Sequence, residues 1–304
     1  MRRARIKTDG EGFYHVVSRI GGRRFLMDDT EKGILLSLVR AAAAFSGVEL
    51  YTYAMMDNHF HLLLRVPRRE KPSESELRRR VRALYGETRA AKLFAQWAKW
   101  DKAGDPQRTE ASKQQLRARM NDLSQFVKTF KEAYTQSYNR RHDNTGTIWE
   151  GRFKSILLEG SAATLLTVAG YIHLNPVRAD MVEAPEQACF TGYGAASADD
   201  EPARVGLCAL VAHTGRRASA TWAEAESSCR DVIDGALAKD EAEETPLAVR
   251  TEAEPSRGQP LSPPSLSLRE LLRHRRAGFL HGGILGRARF MQRMAALQIG
   301  RAHV

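Results

Sequence analysis

The chain has 304 residues, of which 42% are hydrophobic, and its 47 Lys and Arg outnumber 36 Asp and Glu, giving a formal net charge of +11. That length suffices for one large domain or two small ones, and the charge predicts an anionic partner, nucleic acid before membrane. Three cysteines argue against a disulfide scaffold, and we find neither a signal peptide nor an apolar run long enough to span a membrane, so we expect a cytoplasmic protein.

The charge is distributed unevenly along the chain. Residues 1–190 carry 32 Lys and Arg against 22 Asp and Glu, residues 191–265 carry 7 against 13, and residues 266–304 carry 8 against 1. We interpret this as a basic domain over 1–190, an acidic connector rich in Pro, Ala and Ser over 191–265, and a basic helical tail over 266–298. Residues 299–304 resemble a translated sequencing adaptor, so we expect a scar and a missing true C-terminus.

The first third of the chain predicts two strands around a helix, and then a third strand. Residues 13–19 are rich in β-forming side chains. A capping sequence at residues 28–30 precedes an apolar stripe at helical spacing, which ends at Gly47. Residues 48–55 and 59–66 predict the second and third strands, joined by a tight turn.

Residues 70–176 predict an inserted helical arm, followed by a helix, a strand and a last helix. Residues 70–120 are polar, basic and helical in propensity, which predicts the arm. A helix over residues 122–139 and a strand over 153–159 follow, and a last helix begins at Ser161 and stops near Pro176. Without the arm the order is βαββαβ and then a helix. We therefore predict an α+β fold, with a ferredoxin-like antiparallel sheet, helices on one face, the inserted arm and a C-terminal helical extension.

The pair His59 and His61 carries the first chemical signal. Side chains alternate along a strand, so both imidazoles lie on one side of the third strand while Phe60 points into a core. Two imidazoles on one face form part of a metal site. A lone His-x-His is a weak signal, since two surface histidines give the same pattern.

Tyr171 and Asn175 supply the remaining groups. Residues four apart are neighbours on one helical face, so both can point at the sheet face that bears His59 and His61. Two imidazoles and an amide oxygen suit Mg²⁺ or Mn²⁺ better than a closed zinc site. A tyrosine is a credible nucleophile toward a phosphodiester, because the covalent intermediate conserves the bond energy for rejoining.

Residues 10–183 resemble the single-tyrosine HUH transposases, and most closely the REP-associated tyrosine transposases. The resemblance lies in three motifs of the sequence, namely Asn58-His-Phe-His61, Trp149-Glu-Gly-Arg-Phe-Lys154 and Tyr171-Ile-His-Leu-Asn-Pro-Val177. It implies a ferredoxin-like core and metal-dependent cleavage of single-stranded DNA beside a hairpin or palindromic repeat. It also implies a 5′-phosphotyrosine link on Tyr171, with His59, His61 and Asn175 as metal ligands.

Five cations near the motifs are candidates for phosphate contact, with solvated surface charge as the other interpretation. They are Arg140, Arg141, Arg152, Lys154 and Arg178. The competing function is a non-catalytic single-stranded nucleic-acid binder on a ferredoxin-like fold. The presence of His59, His61, Tyr171 and Asn175 favours the nuclease, since a binder needs none of them. The sequence leaves monomer and homodimer open.

Overall fold

The computed structural model describes residues 8, 10–237, 247–251, 265–266, 283–287, 290 and 294. An antiparallel sheet lies at its centre, with strand order β2-β3-β1-β4. The strands are β1 (Gly12–Arg19), β2 (Glu49–Met55), β3 (His59–Val66) and β4 (Lys154–Leu158). This is the ferredoxin-like order, and the predicted α+β class is confirmed.

Two helices cover one face of the sheet, which we call the core face. They are α1 (Asp29–Ser46) and α4 (Leu123–Arg141). The Asp28 side chain accepts a hydrogen bond from the Glu31 backbone amide at the start of α1, and Gly47 ends the helix in the left-handed region with φ of 72°. The ring of Phe60 packs edge-on at 5.5 Å from that of Phe130 on α4, so the core face is closed by aromatic contacts.

The inserted arm consists of α2 (Glu74–Lys102) and α3 (Pro106–Arg117). It has its own small core, in which the fully buried Trp97 donates a hydrogen bond to Ser112. The other buried members are Phe45, Leu77, Val81, Ala90, Leu116 and Met120. Since Phe45 belongs to α1, the arm is anchored to the domain through that helix.

Further helices cover the opposite face, so helices lie on both sides of the sheet and not on one side alone. They are α5 (Ala162–His173), α6 (Asn175–Arg178), α7 (Gly192–Ser197), α8 (Glu201–Thr214) and α9 (Trp222–Leu237). We call α7, α8 and α9 together the α7–α9 layer. The acidic connector predicted over 191–265 therefore contains docked helices between residues 192 and 237.

Small residues explain how the α7–α9 layer packs so closely. A Cβ atom on Gly206 of α8 would lie 2.6 Å from the Leu50 carbonyl oxygen of β2, and one on Gly192 would collide with Thr52. On α9, the Val232 side chain lies where a Cβ on Gly170 of α5 would stand. The layer therefore contacts both the sheet and the helix that bears Tyr171.

Three short strands extend the sheet beyond β4. They are β5 (Leu247–Thr251), β6 (Ser265–Leu266) and β7 (Gly283–Gly286), and β7 pairs with β4 in parallel. The predicted helical tail over 266–298 is thus wrong at β7, where Ile284 and Leu285 between glycines suit an extended backbone. Most of that tail and the predicted scar at 299–304 lie outside the described residues. No helix among the described residues is long and apolar enough to cross a membrane.

Gly206 provides a direct test of how α8 docks on β2. We expect Gly206→Ala to lower the free energy of unfolding by about 1–3 kcal/mol, because the new methyl group displaces α8 from the Leu50 and Tyr51 carbonyls. The matched control is Gly235→Ala on α9, where the added methyl meets nothing within 4 Å. That variant should gain up to about 1 kcal/mol from helix propensity. Urea unfolding measures both, and equal stabilities for the two variants would contradict the docking.

Candidate functional site

The pairing of β1 with β3 decides which side chains share a face with the two histidines. Val17 is the direct partner of His61, and Arg19 is the direct partner of His59. Directly paired residues project to the same side, so all four lie on one face, which we call the site face. His15, two residues before Val17, lies there as well. The site face is the one that α5 covers.

His61 is held by a second histidine. The Nε2 atom of His15 lies 2.9 Å from Nδ1 of His61, and the rings stack with centroids 5.1 Å apart. The two side chains are 0% and 1% exposed. Because Nδ1 of His61 is engaged by His15, its Nε2 atom is the one available to a ligand. Among the described residues, that buried Nε2 has no hydrogen-bond partner.

Burial keeps these imidazoles neutral. It lowers the pKa of His15 to about 3. Burial also holds the pKa of His61 well below 6.5, helped by the nearby charges of His59, His15 and Arg19. A neutral imidazole is the form that binds a metal ion.

His59 is oriented by its neighbour in the turn. Its Nδ1 atom lies 2.7 Å from Oδ1 of Asn58, whose Nδ2 atom donates to the Arg23 carbonyl at 3.1 Å. An amide oxygen can only accept, so Nδ1 of His59 carries the proton and Nε2 is left as the ligand atom. The His59 and His61 rings are 5.0 Å apart and nearly perpendicular.

Tyr171 lies over the two buried histidines. Its ring centroid is 5.7 Å from that of His61 and 5.9 Å from that of His15, and both contacts are edge-on. The guanidinium carbon of Arg178 lies 5.8 Å from the Tyr171 ring. Tyr171 is only 2% exposed, so a phosphodiester cannot reach it without a local rearrangement.

Asn175 reaches the site by a different route from the one its spacing predicted. We expected it on the same helix as Tyr171, yet α5 ends at His173 and Asn175 begins α6. Pro176 accounts for the break, because it has no backbone N–H to donate to the Ile172 carbonyl four residues earlier and its ring crowds that carbonyl. The Asn175 Nδ2 atom still donates to the Tyr171 carbonyl at 2.8 Å, so the two remain adjacent and Oδ1 of Asn175 can act as an acceptor or ligand.

These residues fit a divalent metal with mixed ligands. No group of three or more His, Cys, Asp or Glu side chains is arranged to hold a metal ion within the part of the chain that the structure describes. A site here therefore needs the amide oxygen of Asn175 beside the His59 and His61 nitrogens. The unpartnered Nε2 atom of His61 is the observation that favours such a ligand set.

The five predicted phosphate-contacting cations occupy different surroundings. Lys154 is the first residue of β4 and lies on the site face. It pairs with Val17, which pairs in turn with His61. Two strand spacings therefore separate Lys154 from His61, which is about 10 Å. Arg178 lies against Tyr171. Arg140 and Arg152 are exposed, and both are distant from Tyr171 in the sequence. Arg141 instead forms an ion pair with the buried Glu31.

Two residues near the site were not predicted from the sequence. His15 has its Nε2 atom within hydrogen-bond distance of His61 Nδ1. Arg19 is the direct cross-strand partner of His59. The signal was the alternation of His15, Val17 and Arg19 along β1, but it becomes informative only once the pairing with β3 is known.

A ferredoxin-like sheet that presents two histidines to a tyrosine is the architecture that the motifs imply. Residues 11–85 match the family model described as "Transposase IS200 like", which confirms the resemblance to tyrosine transposases. The matched segment contains His59 and His61, whereas Tyr171 and Asn175 lie beyond it.

A solved structure, "Structure of the REP associates tyrosine transposase bound to a REP hairpin", is similar with a TM-score of 0.42 and 14% identity, over 65% of this chain and 86% of that chain. No curated protein matches.

The buried histidines predict a loss of stability in acid. Burial lowers the pKa of both His15 and His173 to about 3, so the unfolded chain takes up protons below the ordinary value of 6.5 while the folded chain does not. Stability is therefore complete above 6.5 and falls below it, by about 1.4 kcal/mol per pH unit for each such histidine. His173→Gln can keep the bond to Thr52 but cannot titrate. Its unfolding free energy, measured by urea titration from pH 7 to about pH 5, should fall less steeply, and an unchanged slope would contradict this account.

Substitutions of the neighbouring residues Arg141 and Arg140 compare a charge that pairs with a buried carboxylate with a charge that is exposed on the surface. Glu31 is 3% exposed at its side chain and accepts hydrogen bonds from Arg141 and His142. Burial alone would raise the pKa of Glu31, but these hydrogen bonds outweigh it and lower that pKa. Arg141→Met leaves Glu31 short of a partner, so we expect a loss of about 2 kcal/mol, reduced from the fully buried case because Arg141 is partly exposed. Arg140→Met should change stability by less than about 0.5 kcal/mol, and thermal unfolding compares the two.

Proposed function

We propose that the protein is an HUH single-tyrosine transposase of the REP-associated type. It acts as a metal-dependent single-stranded DNA endonuclease and strand-transferase at hairpin or palindromic repeat DNA. The observation that carries this proposal is the meeting of His59 and His61 from β3 with Tyr171 and Asn175 from α5 and α6 on the site face. The family match over residues 11–85 supports it.

The reaction is a transesterification at phosphorus. The Tyr171 hydroxyl oxygen attacks the scissile phosphorus and gives up its proton, and the bond from phosphorus to the 3′ oxygen breaks. That oxygen takes up a proton and leaves as a free 3′-hydroxyl. The other fragment stays joined to Tyr171 through its 5′ phosphate, and the retained phosphoester allows a later strand transfer without an external energy source.

The ligand residues are His59, His61 and Asn175. A divalent cation held there, Mg²⁺ or Mn²⁺, would polarise the phosphodiester as a Lewis acid. His15 and Asn58 act one step further out, because each fixes the Nδ1 atom of one ligand histidine and so directs its Nε2 atom outward. Asn175 is fixed in turn by its bond to the Tyr171 carbonyl.

Cations on the site face bind the DNA backbone in this proposal. Lys154 and Arg19 lie on the same face as the ligand histidines, and Arg178 lies beside the nucleophile. Contacts to phosphate fix the position of the strand without reading its sequence. The exposed Arg140 and Arg152 remain candidates for the same role at greater distance, whereas Arg141 is engaged by Glu31.

The burial of Tyr171 suggests that DNA binding and site opening are coupled. Arg178 on the short helix α6 lies against the Tyr171 ring. A phosphate group that attracts Arg178 would move this guanidinium away from the ring. An unpaired strand suits such a confined site better than a duplex, which is consistent with a single-stranded substrate.

The nucleophile provides the decisive test. Purified protein is incubated with hairpin-bearing single-stranded DNA and Mg²⁺ or Mn²⁺, and covalent adducts are mapped by mass spectrometry. We expect an adduct on Tyr171 joined to the 5′ phosphate, and no adduct or cleavage with Tyr171→Phe. That variant loses one hydroxyl only, so its DNA affinity should persist. Chelation by EDTA should abolish cleavage by the unsubstituted protein.

Tyr193→Phe is the matched control. Tyr193 lies on the same side of the sheet and stacks on His173 at 5.5 Å, yet it is placed outside the proposed site. This variant should form the adduct normally. A nucleotide attached to another tyrosine would overturn the mechanism. Binding of single strands without any cleavage would favour the non-catalytic binder instead.

A further inference from the structure

The loop between β1 and α1 carries the most exposed large hydrophobic side chain in the described part of the chain. Phe25 is 78% exposed, although the loop around it is ordered by several hydrogen bonds. Burying such a ring would be worth a large free energy, so a phenylalanine this exposed on a fixed loop offers an apolar surface to a ligand.

The loop is attached directly to the turn that precedes His59. The Ile20 amide donates to the Asn58 carbonyl at 2.8 Å, and the Met27 amide donates to the Asp57 carbonyl at 3.0 Å. Asn58 adds a side-chain bond to the Arg23 carbonyl, while its Oδ1 atom lies at Nδ1 of His59. The loop that bears Phe25 is therefore fixed to Asn58, the residue that orients His59.

The surroundings of Phe25 combine charge with an apolar surface. Arg23 and Arg24 precede it and are both exposed. Arg23 has φ of 56°, an uncommon conformation for a residue with a side chain, and such strain is concentrated at functional sites. Two arginines beside an exposed ring match the backbone and the base of a single nucleic-acid strand.

A pocket beside the ring offers polar groups to the edge of a base. Phe25 and Met27 line it together with Asp28, Asp29, Thr30, Lys32 and Asp57. Lys32 bridges Asp29 and Asp57 at 3.1 and 2.8 Å, so these acidic groups are partly neutralised and repel a phosphate less. Carboxylate oxygens accept hydrogen bonds from the amino groups of bases.

We propose that Phe25 is a stacking platform for one unpaired base of the DNA strand, adjacent to the site of cleavage. Arg23 and Arg24 contact the flanking phosphates, and the acidic pocket faces the edge of the stacked base. This rests on the proposed function, because it takes single-stranded DNA as the ligand. It adds a base-binding position that the two histidines and the tyrosine do not supply.

The test measures binding of a labelled single strand of about 20 nucleotides, somewhat longer than one typical binding site, by fluorescence anisotropy. Phe25→Ala should weaken binding about tenfold, the usual effect of losing one base–aromatic stack, and Phe25→Trp should restore it. The slope of the logarithm of affinity against the logarithm of salt concentration should stay unchanged in Phe25→Ala, because stacking releases no counterions. In Arg24→Gln the magnitude of that slope should fall by about 0.7, the value for one phosphate contact on a single strand.

An abasic nucleotide, which lacks the base but keeps the backbone, identifies the base that stacks on Phe25. An abasic nucleotide moved along the strand should weaken binding by the unsubstituted protein about tenfold at one position, and that effect should vanish in Phe25→Ala. Val205→Ala, at another exposed hydrophobic residue, is the matched control and should bind like the unsubstituted protein. Phe25 is exposed, so its replacement should leave the fold intact.

The outcomes separate this proposal from the proposed function. Equal affinities of Phe25→Ala and the unsubstituted protein would overturn the stacking platform, even if the Tyr171 adduct forms. A change of oligomeric state in Phe25→Ala, with DNA affinity unchanged, would assign Phe25 to contact between copies and also overturn it. If one abasic position weakens binding by the unsubstituted protein but not by Phe25→Ala, and no Tyr171 adduct forms, the platform is supported and the nuclease is refuted.

Discussion

The pairing of β1 with β3 is the constraint on which the candidate site depends. Eight consecutive residue pairs join the strands, from Gly12 opposite Val66 to Arg19 opposite His59. A slip by one residue would turn His59 and His61 toward the core face and Phe60 toward the site face. The burial of Phe60 against α4 therefore fixes the side of the sheet on which the histidines lie, so the apolar core and the polar site are specified by the same register.

The α7–α9 layer forms part of the framework of the site. His173, two residues after Tyr171, has its Nε2 atom 2.8 Å from the Thr52 hydroxyl on β2 and stacks on Tyr193 of α7. Val232 of α9 occupies the space beside Gly170. Contacts on both sides of Tyr171 thus hold α5 in one position over the sheet. The position of the tyrosine depends on residues far beyond the motifs that carry the resemblance.

The sequence predicted the parts of this structure that follow from short-range pattern. The alternation in β3 and the caps at Asp28 and Gly47 are local signals, and the order βαββαβ follows from them. The packing of 192–237 was missed because it uses Gly192 and Gly206, whose close contacts give no periodic pattern of large apolar residues.

For the candidate site too, the sequence predicted the features that follow from local spacing but not those that depend on contacts between distant residues. The side of the sheet that His59 and His61 share follows from their spacing alone. The contact of His15 with His61 required the cross-strand register, which spans 46 residues of sequence. Likewise, the spacing of Tyr171 and Asn175 indicated proximity, whereas the helix break between them depends on the local effect of Pro176.

The burial of the site means that the proposed reaction requires the site to open. Among the described residues, the buried Nε2 atom of His61 has no hydrogen-bond partner, and Tyr171 is almost fully covered. In the proposed mechanism, opening the site costs free energy, which contacts made elsewhere along the DNA would supply. The exposed Phe25 and the two arginines before it are the proposed source of such contacts. In that arrangement a strand without an unpaired base at the loop would bind weakly and would also fail to open the site, so strand recognition and exposure of the nucleophile would be a single event.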